Sequence, residues 1–392
     1  MPRCTAYHGL VPSIRPQTKV EYFELFFDLV YVFTLLQISR TITSEGTIVG
    51  IVHGTVDLIL LWWVWVAFTA LANMGLHTSE RRDIRPVIFA VAMGLVLLMA
   101  LTIPDAFWSD SKLFAYSYLG LALLAMGGGI WVLRRNHDLT RALRRMGTLA
   151  LVLPVLVVVT SYVPDPTISV VLIAIGICSA IAVPFAAGSA MPISTEHLAE
   201  RYSLFILITL GESIISIGDG AAKAELSPLL IACVLVSLGL VVILWRHYYI
   251  SVLQPGESAL HRLRGQDLAS FVRYGYTFAH FFMVWGVLLI AVAIKASLVD
   301  LTTSLNDWLE AGLASGALVF LATTAVFTRL AGGTVRPMLV VSLVALVFLV
   351  VLGPQLPTAA LLVAVTLAAA IGVNTRSIGL RQPEPRQPST SD

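Results

Sequence analysis

The sequence predicts an all-α, polytopic membrane protein with twelve transmembrane helices in two parallel six-helix halves and both termini cytoplasmic. Three observations carry this: the composition, the spacing of the apolar runs and the placement of the basic residues. Of 392 residues, 57% are apolar and only 12% charged, against about 45–50% and about 25% in soluble domains. So few charges cannot cover the surface of a fold this apolar, and the mean hydropathy of +0.87 makes lipid the main solvent. Disordered, collagenous, coiled-coil and small disulfide-scaffold classes are excluded by the same figures. The formal net charge of +2, from 25 basic and 23 acidic residues, gives no reason to expect nucleic acid as a partner.

A spanning helix needs about 20 mainly apolar residues. Read in chain order, such cores fall at 22–38, 50–74, 84–103, 112–134, 147–163, 167–188, 198–219, 226–249, 268–297, 307–330, 336–353 and 357–375. Short connectors with Gly, Pro and Asp separate several of them, as at Val163-Pro164-Asp165-Pro166 and Gly353-Pro354-Gln355-Leu356-Pro357. The adjacent pairs at 147–188 and 336–375 are the places where a re-entrant hairpin would imitate two spans. Cytoplasmic loops carry excess Lys and Arg. With the N-terminus inside, every Lys and Arg except Arg40, Lys112, Lys223 and Lys295 falls on a cytoplasmic loop or helix end. An error in the count would scramble that alternation.

The chain divides near Ala190: a cytoplasmic tail over 1–20, one half over 21–189, a second over 190–375 and a disordered Pro/Gln/Ser-rich tail over 376–392. Residues 1–19 lack a cleavable apolar core, so the first run is expected to be retained. Each half opens with an acidic helix start, Glu24 to Asp28 and then Glu200-Arg201. Each third helix begins at an arginine, Arg85 or Arg273. An even number of spans per half gives a parallel repeat. Cys4, Cys178 and Cys233 are scattered, which suits packing rather than disulfides or metal.

An ionisable group at mid-bilayer costs roughly 2.5–3.5 kcal/mol on insertion scales, so each one is expected to face inward toward a partner or a water-filled path. In the first helix Glu21, Glu24, Asp28 and Tyr31 share one stripe by their spacing. In the seventh, Thr209, Glu212 and Ser216 share a face, and Gly211 offers a close approach to another helix. In the second, His53 and Asp57 are four apart and able to pair. Trp62, Trp63 and Trp65 follow, too closely spaced to face one way. In the ninth, Tyr276 and His280 are four apart, with Trp285 nearby. The deep ionisable set is thus read as Asp28, Asp57, Glu212 and His280 without Lys or Arg at matching depth, a cavity that attracts cations or protons. No Walker loop, H-E-x-x-H, G-x-S-x-G or magnesium–diphosphate pattern occurs, so no metal or cofactor is expected.

The run Glu24-Leu25-Phe26-Phe27-Asp28-Leu29-Val30-Tyr31-Val32 resembles the first-helix signature of the bacterial low temperature requirement A family. His197, Glu200-Arg201, Leu204-Phe205 and Leu210-Gly211-Glu212-Ser213-Ile214 resemble its seventh-helix signature. Trp62-Trp63-x-Trp65 and His280 fit its second and ninth helices. The resemblance covers residues 20 to about 375. It implies a polytopic membrane protein and draws attention to Asp28 and Glu212, without naming a substrate.

Two functions of different class fit these residues. One is a transporter or channel for a cation, or a proton-coupled carrier of a small solute. It would use Glu24, Asp28, Asp57, Glu212, Ser216 and His280 along its path in the cell membrane. The other is an intramembrane enzyme on a lipid or isoprenoid substrate. There Asp28 or Glu212 would be the acid, and Tyr31, Trp62, Trp63, Trp65, Tyr276 and Trp285 would line the site and stabilise a carbocation. A membrane scaffold or sensor without turnover is the third. The expected partners are the lipid bilayer and a small cation, a proton or a small lipophilic substrate.

Overall fold

The computed structural model describes residues 20–75, 85–105, 111–186, 194–301 and 307–373. The two tails, the boundary near Ala190 and Cys4 lie outside them. Every regular element among the described residues is helical: α1 (Tyr22–Glu45), α2 (Ile48–Gly75), α3 (Arg85–Leu101), α4 (Ser111–Leu133), α5 (His137–Ala150), α6 (Val152–Thr160), α7 (Pro166–Ala186) and α8 (Thr195–Ala221). Then come α9 (Pro228–Tyr248), α10 (Gln254–Arg262), α11 (Gly265–Phe271), α12 (His280–Ser297), α13 (Asp307–Leu330), α14 (Pro337–Leu352) and α15 (Thr358–Gly372). π-helical turns at Tyr249–Leu253 and Val272–Ala279 join α9 to α10 and α11 to α12.

Ten helical stretches among the described residues are long and apolar enough to cross a membrane. Two further apolar helices, α3 with 17 residues and α15 with 15, occupy the expected third and twelfth spans but are shorter. The doubtful stretch at 147–163 belongs to a 24-residue helical stretch, His137–Thr160, that is long and apolar enough to cross a membrane. Its polar first turns begin at Asn136, whose side chain accepts the Leu139 N–H.

Helix ends follow local chemistry. Gly46 adopts φ +59° and closes α1 with its N–H on the Ile42 carbonyl, a left-handed cap that suits glycine. Ser227 caps α9, with Pro228 at the first helical position.

α12 lies at the centre, with most of its residues buried, whereas α7 is peripheral, with only Gly176 and Ala180 buried. α12 packs on α8 and α13. A Cβ on Gly286 would sit 2.7 Å from the Gly316 carbonyl oxygen, and one on Gly316 would sit 2.6 Å from that of Gly286. Small residues let two backbones meet where lipid supplies no hydrophobic drive. The expected close approach at Gly211 is absent: nothing lies within 4 Å of where its Cβ would be. The intimate contact on α8 comes at Gly220, against the Lys295 carbonyl of α12.

Neighbour relations recur along the chain. α1 packs on α2 and α3, and α3 on α4; α8 packs on α9 and α12, and α12 on α13. α1 and α8 themselves run side by side and parallel. Glu24 meets His197, and Asp28 meets Arg201, both at a separation of 173 residues.

Candidate functional site

The seam between α1 and α8 holds the candidate site. Glu24 and Asp28 are one turn apart on α1, and His197 and Arg201 repeat that spacing on α8. Parallel packing in constant register therefore brings the two pairs face to face. All four side chains are fully buried. Arg201 Nη2 donates to Asp28 Oδ1 at 2.9 Å, Arg201 Nη1 stands 3.6 Å from Glu24 Oε2, and His197 Nε2 lies 2.9 Å from that same oxygen. From α2, Trp65 Nε1 donates to Asp28 Oδ1 at 2.9 Å. The Arg201 guanidinium lies 5.6 Å from the Trp65 ring centroid, in cation–π range. Thr69, one turn further on α2, places its hydroxyl 3.5 Å from Arg201 Nη2.

This arrangement corrects the expectation of acids without a basic counterpart. Arg201, read as a cytoplasmic loop-end residue, is fully buried and ion-paired with the first-helix carboxylates. The i, i+4 match between Glu24/Asp28 and His197/Arg201 was the signal in the sequence that could have revealed it. Lys295, read as an outside residue, is also largely buried. It binds Asp219 at 3.2 Å and lies close enough to act on Glu212.

Glu212 itself is fully buried. Its Oε1 accepts from Ser216 at 2.9 Å, while Oε2 has no partner. The Ser39 hydroxyl of α1 stands beside this carboxyl, outside hydrogen-bonding geometry. Thr209 shares the buried face but turns its hydroxyl to the Phe205 carbonyl. Glu212 lies eleven residues beyond Arg201, about 16 Å along the helix axis, so Asp28 and Glu212 belong to two separate polar layers. Between them Phe205 of α8 packs against Tyr31 of α1 across the seam, both buried. The buried Tyr31 hydroxyl has no hydrogen-bond partner among the described residues.

The remaining expected residues disperse. His53 does not pair with Asp57; its Nδ1 takes Glu45 at 2.9 Å, because the tight Gly46 turn brings the end of α1 over the start of α2. Asp57 is buried with neither oxygen hydrogen-bonded. His280 is saturated: its Nδ1–H donates to the Gly275 carbonyl and its Nε2 accepts from the Tyr248 hydroxyl, each at 2.9 Å. Tyr276 stacks on its ring at 5.1 Å. These contacts tie the π-helical turn to α9 and engage both His280 nitrogens.

The tryptophans split, as their spacing requires. Trp62 is buried and donates to the Thr277 carbonyl, Trp65 serves Asp28, and Trp63 is half-buried. Trp285 donates to Thr55. Asn73 emerges as an unforeseen clamp. Its amide donates to the Ser194 carbonyl and accepts the Ser194 N–H at 2.9 and 2.7 Å, fixing the start of α8 to the end of α2. Among the described residues no group of three or more His, Cys, Asp or Glu could hold a metal ion.

Ten span-length apolar helical stretches among the described residues, with a fully buried cluster of opposed charges between two of them, define a multi-pass integral membrane protein. The chain belongs to the bacterial low temperature requirement A protein (LtrA) family, which it matches over residues 19–373. It is similar to an uncharacterised protein of Rhizobium meliloti (strain 1021), at 27% identity over 304 residues covering 74% of this chain and 72% of the relative. No solved structure matches it.

Proposed function

We propose that the protein is a proton-coupled transporter of a small solute in the cell membrane, with both termini cytoplasmic and twelve spans in two parallel halves. The recurring helix contacts and the parallel pairing of α1 with α8 support the two-half reading. The observation that carries the function is the charge balance of the buried cluster. Two carboxylates face one guanidinium and one imidazole, all fully buried. With every carboxyl ionised and His197 neutral, the cluster holds a net negative charge. An uncompensated charge in a dry interior costs several kcal/mol, so one proton within the cluster is the state of lowest cost. Within it His197 Nε2 and Glu24 Oε2 lie 2.9 Å apart, at hydrogen-bonding distance.

Glu212 supplies a second protonatable group about 16 Å away, with one oxygen free to exchange a proton. The Tyr31–Phe205 contact lies between the two layers, as alternating access requires of a closed state. A carrier of metal cations fits less well, because Arg201 and Lys295 stand beside the acids. The intramembrane-enzyme reading is weakened by the shut-in position of Asp28. It is fully buried beneath Trp65 and Arg201 and does not line the large cavity beside the cluster.

In proteoliposomes under an imposed pH gradient, the wild-type protein should drive solute uptake coupled to proton movement across a panel of small solutes. Glu212→Gln and Asp28→Asn should reduce it to the level of empty liposomes. Equal flux from wild type and both variants would remove the proposal.

A further inference from the structure

Beside the cluster, α2, α4, α5, α6, α7, α8, α11 and the π-helical turn before α12 line a partly open cavity of about 290 Å³. Its wall is mainly aliphatic and thioether, with Leu121, Met126, Met146 and Val183 among the lining side chains. Asn73 reaches it but is committed to both backbone groups of Ser194. Arg273 is the one charged side chain among the lining residues.

Arg273 is held in place without being neutralised. Its Nε donates to the Pro184 carbonyl at 3.1 Å, and its guanidinium lies 4.5 Å from the Phe185 ring and 5.8 Å from that of Tyr274. None of the ion pairs between described residues involves it. A guanidinium anchored through Nε, with no hydrogen bond from its terminal N–H groups to a described residue, matches beside an apolar chamber a ligand with one anionic head and an apolar tail. At about 30 Å³ per carbon-sized group the chamber takes about ten of them, the size of one acyl chain.

We infer that this cavity binds a single-chain amphiphile of about ten carbons whose carboxylate or phosphate head is held by Arg273. The ligand touches the buried cluster only through shared walls. Thr69 lines the cavity and reaches Arg201, and Tyr202 lines it and packs edge-on to Trp65 at 4.8 Å. Binding stands independently of transport; the ligand's role as the carried solute rests on the function proposed above.

The test is binding of radiolabelled decanoate to the full-length protein in phosphatidylcholine nanodiscs, followed by scintillation proximity. Saturable binding is expected, at least tenfold weaker for Arg273→Gln and lost in Ala125→Phe, which fills the chamber. Unchanged melting and elution of both variants keep misfolding apart from loss of the site. Decanol should compete at least tenfold more weakly than decanoate. Displacement of decanoate when phosphatidylglycerol replaces part of the phosphatidylcholine would overturn the single-chain assignment; no displacement would support it. Equal competition by decanol, or undiminished binding to Arg273→Gln, would overturn the inference. Decanoate binding without coupled flux would sink the transport reading alone, and coupled flux of other solutes without decanoate binding would sink this one alone.

Discussion

Removing the Arg201 guanidinium should be the most damaging single change in the α1–α8 seam, and a second substitution that removes charge should partly reverse it. Opposite charges 2.9 Å apart attract by about 6 kcal/mol at an effective dielectric constant of about 20. The 3.6 Å pair with Glu24 adds about 5 kcal/mol on the same scale. Desolvation of three ions cancels much of this, so replacing the whole cluster by apolar groups would cost little. Deleting only the cation is different: it strands two buried carboxylates, at about 3–5 kcal/mol. Arg201→Met should therefore lose about that much, while Arg201→Met combined with Asp28→Asn should recover at least about 1 kcal/mol, a non-additivity typical of directly coupled groups. Reversible unfolding in mixed dodecylmaltoside–SDS micelles, followed by tryptophan fluorescence and circular dichroism, measures each corner of the cycle. Strictly additive losses would refute the picture of one coupled cluster.

Four further outcomes follow from the geometry. Gly286→Ala pushes a methyl to 2.7 Å from a backbone oxygen and should cost about 1–3 kcal/mol, seen as a lower melting temperature. Gly211→Ala meets nothing within 4 Å and should be neutral or stabilising by up to about 1 kcal/mol; if it destabilised like Gly286→Ala, the helix contacts assigned above would be wrong. Asn73→Ala strips both partners from Ser194 and should cost about 1–3 kcal/mol, with faster hydrogen exchange confined to the first turn of α8. For topology, a fluorescent protein fused after Asp392 should glow and alkaline phosphatase inserted near Lys223 should be active; the reverse pattern would invert the orientation.

The architecture was legible because lipid imposes a one-dimensional rule. A segment crossing the bilayer must satisfy its own backbone hydrogen bonds and present apolar side chains over a set length. Runs such as Pro166–Ala186 and Ile48–Gly75 announce themselves on that ground, as does the burial of Asp28 and Glu212. The same logic fell short at α3 and α15, whose helices are shorter than their apolar runs, and at Gly211, where a small residue marks open space.

What the sequence by itself determined is the solvent, the helical class and which polar residues must turn inward. Only the tertiary structure decided how those residues pair. Arg201 lies 173 positions from Asp28, and its depth depends on α8 lying parallel to α1 in one register. His53 turns to Glu45 rather than Asp57 because a glycine cap folds one helix end over the next. Partnership between distant polar groups is set by helix packing and rotation, which the periodicity of a single segment does not encode.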